Sequence, residues 1–181
     1  DKWLEKRVFS VGYSFTYSIN KIASFNEFIY TFDDNYSPID SLTEKFNHKN
    51  VNISYSPSFV GGLELTGYPL KGFEISLINK AVSRQFLDNT NNLNRSIKPY
   101  FYTNLRLAYK VPLNNPDKEI RLTLLVNNLF NRLYESNGYT YSERYGYLDD
   151  NNNWRATDTY TYNYYYPQAN INLLAGVNVR F

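Results

Sequence analysis

A chain of 181 residues with a net charge of +2 is near the size of one domain and gives no electrostatic reason to expect a nucleic-acid partner. It holds no cysteine and one histidine, His48, which excludes disulfides, thiolate chemistry and any site built from two histidines. Mean hydropathy is −0.54, and no apolar run approaches the ~20 residues of a transmembrane helix; strands that alternate apolar and polar residues average to a polar value, so a membrane β-barrel stays open.

Six extended stretches follow in chain order. In the first, Phe9, Val11, Tyr13, Phe15, Tyr17 and Ile19 alternate with Ser10, Gly12, Ser14, Thr16, Ser18 and Asn20. The period of two puts the apolar set on one face of a strand. The second runs from Val51 to Thr66, with a bulge or bend expected at Pro57 and Gly61-Gly62. The third carries Phe73, Ile75 and Leu77 on one face, with a less regular continuation to Val82. The fourth places Phe101, Thr103, Leu105, Leu107, Tyr109 and Val111 outward, and Asn104, Arg106 and Lys110 inward. The fifth sets Ile120, Leu122, Leu124 and Val126 against Arg121, Thr123 and Asn127. The sixth is Asn170–Phe181, where Ile171, Leu173, Ala175, Val177, Val179 and Phe181 share a face that stays apolar to the last residue.

The connections alternate in length. Long segments lie at 24–49, 83–99 and 131–168. Short turns lie at Tyr68–Gly72 and at Pro112, Asn114, Asn115, Pro116 and Asp117. Long outer loops and short inner turns are the pattern of an outer-membrane barrel, and 19 Tyr with 12 Phe suit its strands and aromatic girdles. The expected fold is therefore all-β, an antiparallel transmembrane β-barrel segment, with the C-terminus on the short-turn side and Asp1–Arg7 as the tail of a further short turn. No helical period, domain boundary or internal repeat interrupts it. Six strands do not close a membrane barrel, for which about eight is the practical minimum. The chain also begins at Asp1 with neither Met nor a secretory leader. Both points lead us to expect a piece of a larger barrel or a chain whose leader was removed.

The stretch Val126-Asn127-Asn128-Leu129-Phe130-Asn131-Arg132-Leu133-Tyr134 resembles the late-strand motif of TonB-dependent outer-membrane receptors, with Asn128, Leu129, Phe130 and Tyr134 as the matching positions. Gln85–Thr90 and the Tyr-rich Tyr164–Gln168 resemble the Bacteroidetes type of that family. The resemblance covers all 181 residues. It implies about six C-terminal strands of a barrel of roughly 22, with the plug domain and the TonB-contacting segment not in residues 1–181. It further implies a bacterial outer-membrane location and import of a scarce bulky nutrient: a siderophore, haem, a vitamin or an oligosaccharide. Implied partners are outer-membrane lipid, the rest of the barrel and plug, TonB through the N-terminal part, and a surface lipoprotein. Gly176, Val177, Val179 and Phe181 resemble the signal read by the barrel-assembly machinery, which needs an exposed strand edge; Ala175 departs from the polar residue usual before the glycine.

Candidate contacts are weighed against plainer readings. Tyr139, Tyr141, Arg144, Tyr145, Tyr147 and Trp154 could bind a sugar, a porphyrin or an aromatic siderophore at the outer mouth; the plainer reading is cross-strand pairs above the membrane. Asp33-Asp34-Asn35 and Asp149-Asp150-Asn151 offer oxygen ligands for Ca²⁺ but lack the spacing of a calcium loop, so loop tips are preferred. His48 as a haem ligand stands alone, and a rim histidine is preferred. Arg106, Arg121 and Arg180 are expected to line the lumen and pair with acidic groups of a plug. No motif places a nucleophile or an acid–base pair, so we expect no enzyme, cofactor or metal. The competing readings are a ligand-binding or adhesive outer-membrane barrel without active transport, and a soluble Tyr-rich β-sandwich that binds carbohydrate.

Overall fold

The computed structural model describes residues 8–115 and 117–181; the expected tail Asp1–Arg7, and Pro116 of the second short turn, lie outside the described residues. Strand β1 is Phe9–Tyr17, β2 Lys21–Phe32, β3 Glu44–Asn52, β4 Phe59–Leu70 and β5 Phe73–Val82. The short β6 (Gln85–Phe86) and β7 (Ser96–Ile97) follow, then β8 (Tyr100–Val111) and β9 (Glu119–Asn127). The last four are β10 (Glu135–Leu148), β11 (Trp154–Ala156), β12 (Tyr160–Pro167) and β13 (Asn172–Arg180).

Six of these strands form one antiparallel sheet, in the order β1-β4-β5-β8-β9-β13. They correspond to the six stretches read from alternation. Register carries that alternation across the whole sheet. Val11, Leu65, Leu77, Leu105, Val126 and Leu173 lie in one row on one face. The adjacent row, on the other face, is Ser10, Thr66, Ser76, Arg106, Leu125 and Leu174. A slip of one residue in any strand would move its apolar set to the polar side. The apolar face lies open: Phe9 is 71%, Tyr13 77% and Phe15 70% exposed. Among the described residues β1 and β13 are the sheet's two edges and do not pair with each other, so the sheet is open.

The structure corrects the second stretch. Between β3 and β4, Tyr55 takes a φ of +54°, and Pro57 has no N–H to donate. The strand expected over Val51–Thr66 is thus cut at Asn52 and resumed at Phe59. The first stretch ends at Tyr17 rather than Asn20. The short turn after β4 is Lys71-Gly72, where Gly72 has φ +79° and a Cβ would sit 2.6 Å from the Lys110 carbonyl oxygen. That position admits only glycine without strain.

The long connections are themselves folded. β2 and β3 form a hairpin, β6 pairs β7, and β10 pairs both β11 and β12. β10 also pairs β2 in parallel, through Glu143 with Tyr30 to Tyr145 with Phe32. All three excursions leave the sheet at one end, and the short turns lie at the other. Among the described residues, the buried apolar side chains are Ile29, Val51, Val82, Leu87, Ile97 and Ala108. Most belong to the excursions. The interior of this molecule in the usual sense is therefore the body built by the loops, while the large sheet keeps one apolar face uncovered.

Candidate functional site

Three excursions meet around one guanidinium. Arg95, just before β7, has a side chain only 9% exposed. Its Nη1 donates to Glu27 of β2 and, at 3.0 Å, to Asp88. Its Nη2 donates to Ser142 Oγ of β10 at 2.7 Å and to Thr161 Oγ1 of β12 at 3.4 Å. Glu27 also accepts or shares a proton with His48 Nε2 of β3 at 2.8 Å. One side chain thus ties the β2–β3, β6–β7 and β10–β12 segments together. Burial works against the Arg95 charge, and the hydrogen bonds and charges of Glu27 and Asp88 outweigh it, so its pKa lies above the usual arginine value. His48 stacks beside Phe25 with ring centroids 6.3 Å apart. It is a structural residue at the rim, its Nε2 already engaged.

The inner side of the β10–β12 hairpin rests on the β6–β7 segment. The Tyr165 hydroxyl donates to Ser96 O at 3.4 Å, Asn163 Nδ2 to Asn94 O at 3.2 Å, and the Tyr55 hydroxyl to Gly138 O at 2.7 Å. The outer side carries a tyrosine ladder. Tyr139 stacks on Tyr164 at 4.8 Å and 12°, and Tyr141 on Tyr162 at 5.1 Å. Along the same face Tyr139 and Tyr141 are 6.5 Å apart with their rings nearly parallel at 11°. The ring faces are turned to one another, which leaves edges and hydroxyls for solvent. A planar ligand would find these faces occupied.

The other expected contacts divide. Arg144 is 7% exposed and committed, its Nη1 to Glu44 at 2.7 Å and its Nη2 to Leu42 O at 3.1 Å. The Tyr145 hydroxyl donates to Glu143 at 2.8 Å, which with burial pushes its pKa upward. Tyr147 and Trp154 remain exposed, at 52% and 40%, and lie on neighbouring strands β10 and β11, where Tyr147 faces Arg155 and Leu148 faces Trp154. Of the six residues, four keep solvent-facing surface and two are built into the body.

Both Asp-Asp-Asn sequences form the same turn. Asp33 Oδ1 accepts the N–H of Asn35 (2.9 Å) and Ser37 (2.8 Å); Asp149 Oδ1 accepts those of Asn151 and Asn153 (both 2.9 Å). The fourth residue of each, Tyr36 or Asn152, takes a left-handed φ of 57° or 59°. The backbone N–H of Asn153, then the Arg155 guanidinium, holds the Asp149 carboxyl below the usual range. Each aspartate is thereby a hairpin anchor.

The motif Asn128-Leu129-Phe130 also has a local physical role. Asn128 is 4% exposed with φ 50°. Its Nδ2 donates to Arg132 O (2.8 Å) and Ala169 O (3.2 Å), and its Oδ1 accepts from Arg132 N (2.9 Å). It therefore closes the exit of β9 and holds the entry to β13. Tyr134 lies between Tyr100 and Tyr102, at 4.8 and 5.3 Å. Phe130 projects onto the apolar face beside Phe59 and Phe101.

On the polar face, the arginines find carboxylates within the sheet itself. Arg106 Nη2 reaches Glu64 at 2.8 Å and Glu74 at 2.9 Å; Arg121 reaches Glu74 at 3.2 Å; Arg180 lies 3.8 Å from Glu119. Val177, Val179 and Phe181 stand exposed along the apolar side of β13, and Gly176 pairs Thr123 on the polar side. No family model, curated protein or solved structure matches this chain.

Proposed function

We propose that this chain forms wall strands and outer loops of an outer-membrane barrel of the TonB-dependent receptor type, which imports a bulky nutrient. The observation that carries the reading is the two-faced sheet. The row Val11, Leu65, Leu77, Leu105, Val126 and Leu173 puts an apolar residue on all six strands, and the opposite face holds the Arg106–Glu64–Glu74–Arg121 network. Aromatic residues mark both ends of the apolar face: Tyr17, Phe59, Phe101 and Phe130 near the excursions, and Phe9, Phe73 and Tyr109 near the turns. Between them lie the aliphatic row from Val11 to Leu173 and a row in which Tyr13 and Leu63 lead to Asn79 and Thr103. That is the arrangement of a lipid-facing band between two interfacial girdles. In water such a face would far exceed the few hundred Å² of apolar patch that soluble monomers tolerate. The polar pair on that face supports the same reading, because it is satisfied internally: Thr103 Oγ1 donates to Asn79 Oδ1 at 2.8 Å, and Asn79 Nδ2 to Leu63 O at 3.1 Å.

The open edges of β1 and β13 would strand backbone donors and acceptors in lipid, so on this reading further strands flank them. The resemblance of Asn128, Leu129, Phe130 and Tyr134 to the receptor motif directs the choice among barrels. Cysteines at Ser14 in β1 and Leu174 in β13 test the reading in outer-membrane preparations. The expected result is that each cross-links to strands other than the six of this sheet, and that uptake by the parent collapses when the inner-membrane proton gradient is dissipated. A direct β1–β13 cross-link within one chain would contradict it in favour of a small closed barrel.

A further inference from the structure

The apolar face is not uniform. Near the excursion end, Gly61 lies opposite Ala81 in the β4–β5 register, and the two leave a floor with almost no side chain. Phe15, Phe59, Phe101 and Phe130 stand around it, and together they enclose a groove of about 550 Å³. The Phe59 ring leans over Gly61 so closely that a Cβ there would meet it at 2.7 Å. A second depression of about 380 Å³ shares Phe59, Ala81 and Phe101 and adds Arg132 at the excursion side. Arg132 is exposed, and its backbone N–H is spent on Asn128. Among the described residues, no carboxylate lies within ion-pair distance of its guanidinium.

We propose that this groove is a specific site for a lipid with an anionic phosphate headgroup, its acyl chain running past Ala81 and Leu77 between the phenylalanine rings and its phosphate on Arg132. The inference rests on the membrane reading above and goes beyond it. Charge complementarity and position identify the occupant. An acyl chain needs an apolar trough along the bilayer normal, and the trough ends at the interfacial level where headgroups sit. A planar guanidinium with no partner there matches a phosphate by paired hydrogen bonds. A soluble anion would make no use of the trough.

The test uses the protein extracted from its own membrane with its neighbouring strands retained, then exchanged into mixed vesicles of phosphatidylglycerol and phosphatidylcholine. Native mass spectrometry reads the lipids that remain bound. The expected result is selective retention of phosphatidylglycerol, reduced about fivefold by Arg132→Gln. Ala81→Phe, which fills the trough, should lower retention of both lipids. Equal retention of the two lipids by the unaltered protein, or displacement of phosphatidylglycerol by inorganic phosphate alone, would overturn the site while membrane insertion stands. Absence of the protein from the membrane fraction would overturn the membrane reading and the site together.

Discussion

Single side chains hold the excursions in place, and two of them are testable by themselves. Arg95 satisfies two carboxylates and two hydroxyls from three segments distant in sequence. Arg95→Met leaves Glu27 and Asp88 without their cation, a loss of about 3 kcal/mol by analogy with other broken, mostly buried pairs. We predict faster amide hydrogen exchange in β2, β7, β10 and β12 together, with β4, β5 and β8 unchanged. A loss of protection confined to residues 83–99 would show that the guanidinium does not couple the three. Asn128→Ala removes three side-chain hydrogen bonds at a left-handed position, which should cost about 2–3 kcal/mol. The expected reading is a lower thermal midpoint; Asn128→Asp, which keeps the acceptor to Arg132 N, should fall between. Neither residue announces itself in a single sequence. Arg95's partners lie at 27, 88, 142 and 161, a spacing no local pattern encodes. Asn128 was visible only through its resemblance to a family motif, which names a position without saying what it bonds.

At the level of elements, period-two alternation located the large sheet and missed the excursion strands, for one reason. In β1 one face carries only apolar and aromatic residues and the other only small or polar ones, so the sequence alternates cleanly. β2 and β10 also keep one covered and one exposed face, but the faces mix chemical types: Glu27 and Thr31 share the covered side of β2 with Ile29, and the covered side of β10 carries Gly138, Ser142 and Arg144 while Tyr139 and Tyr141 face out. The same mixing explains why residues 24–49 read as a connection. The Asp-Asp-Asn turns were legible as turn sequence, but their anchoring carboxylates appear only in three dimensions. The Asp149 pKa is lowered, so its contribution is complete above the usual aspartate pKa of about 4 and is lost as pH falls through the lowered value. The β10–β11 hairpin should therefore open on acidification, with Asp149→Asn partly insensitive. Exchange or nuclear magnetic resonance of Asn151 and Asn153 amides checks this, and a hairpin equally ordered in strong acid would contradict it. In the tyrosine ladder, hydrogen bonding to Tyr164, then burial, pushes the Tyr141 phenol up to about 12. Alkaline ultraviolet titration should show Tyr141 and Tyr145 ionising after the exposed tyrosines. Glu143→Gln should bring the Tyr145 transition down, since the carboxylate that holds its proton is gone.

For the whole molecule, the two faces of one sheet decide what surrounds it. A body of loops with its own small interior sits at one end, and a wall with an uncovered apolar face extends from it. The proposed placement, lipid on one side and an aqueous lumen on the other, would account for both faces, for the internally satisfied Asn79–Thr103 pair and for the sheet's charge network. The absence of cysteine makes the deciding measurement clean, because a single introduced thiol is the only one in the chain. Ser14→Cys and Phe15→Cys in β1, with Thr123→Cys and Leu124→Cys in β9, place probes on opposite faces one residue apart. In native membranes the account predicts that the Ser14 and Thr123 positions react with a charged, water-soluble maleimide, while the Phe15 and Leu124 positions resist it and react with a lipid-partitioning reagent. Equal reaction of all four positions with the water-soluble reagent would contradict it.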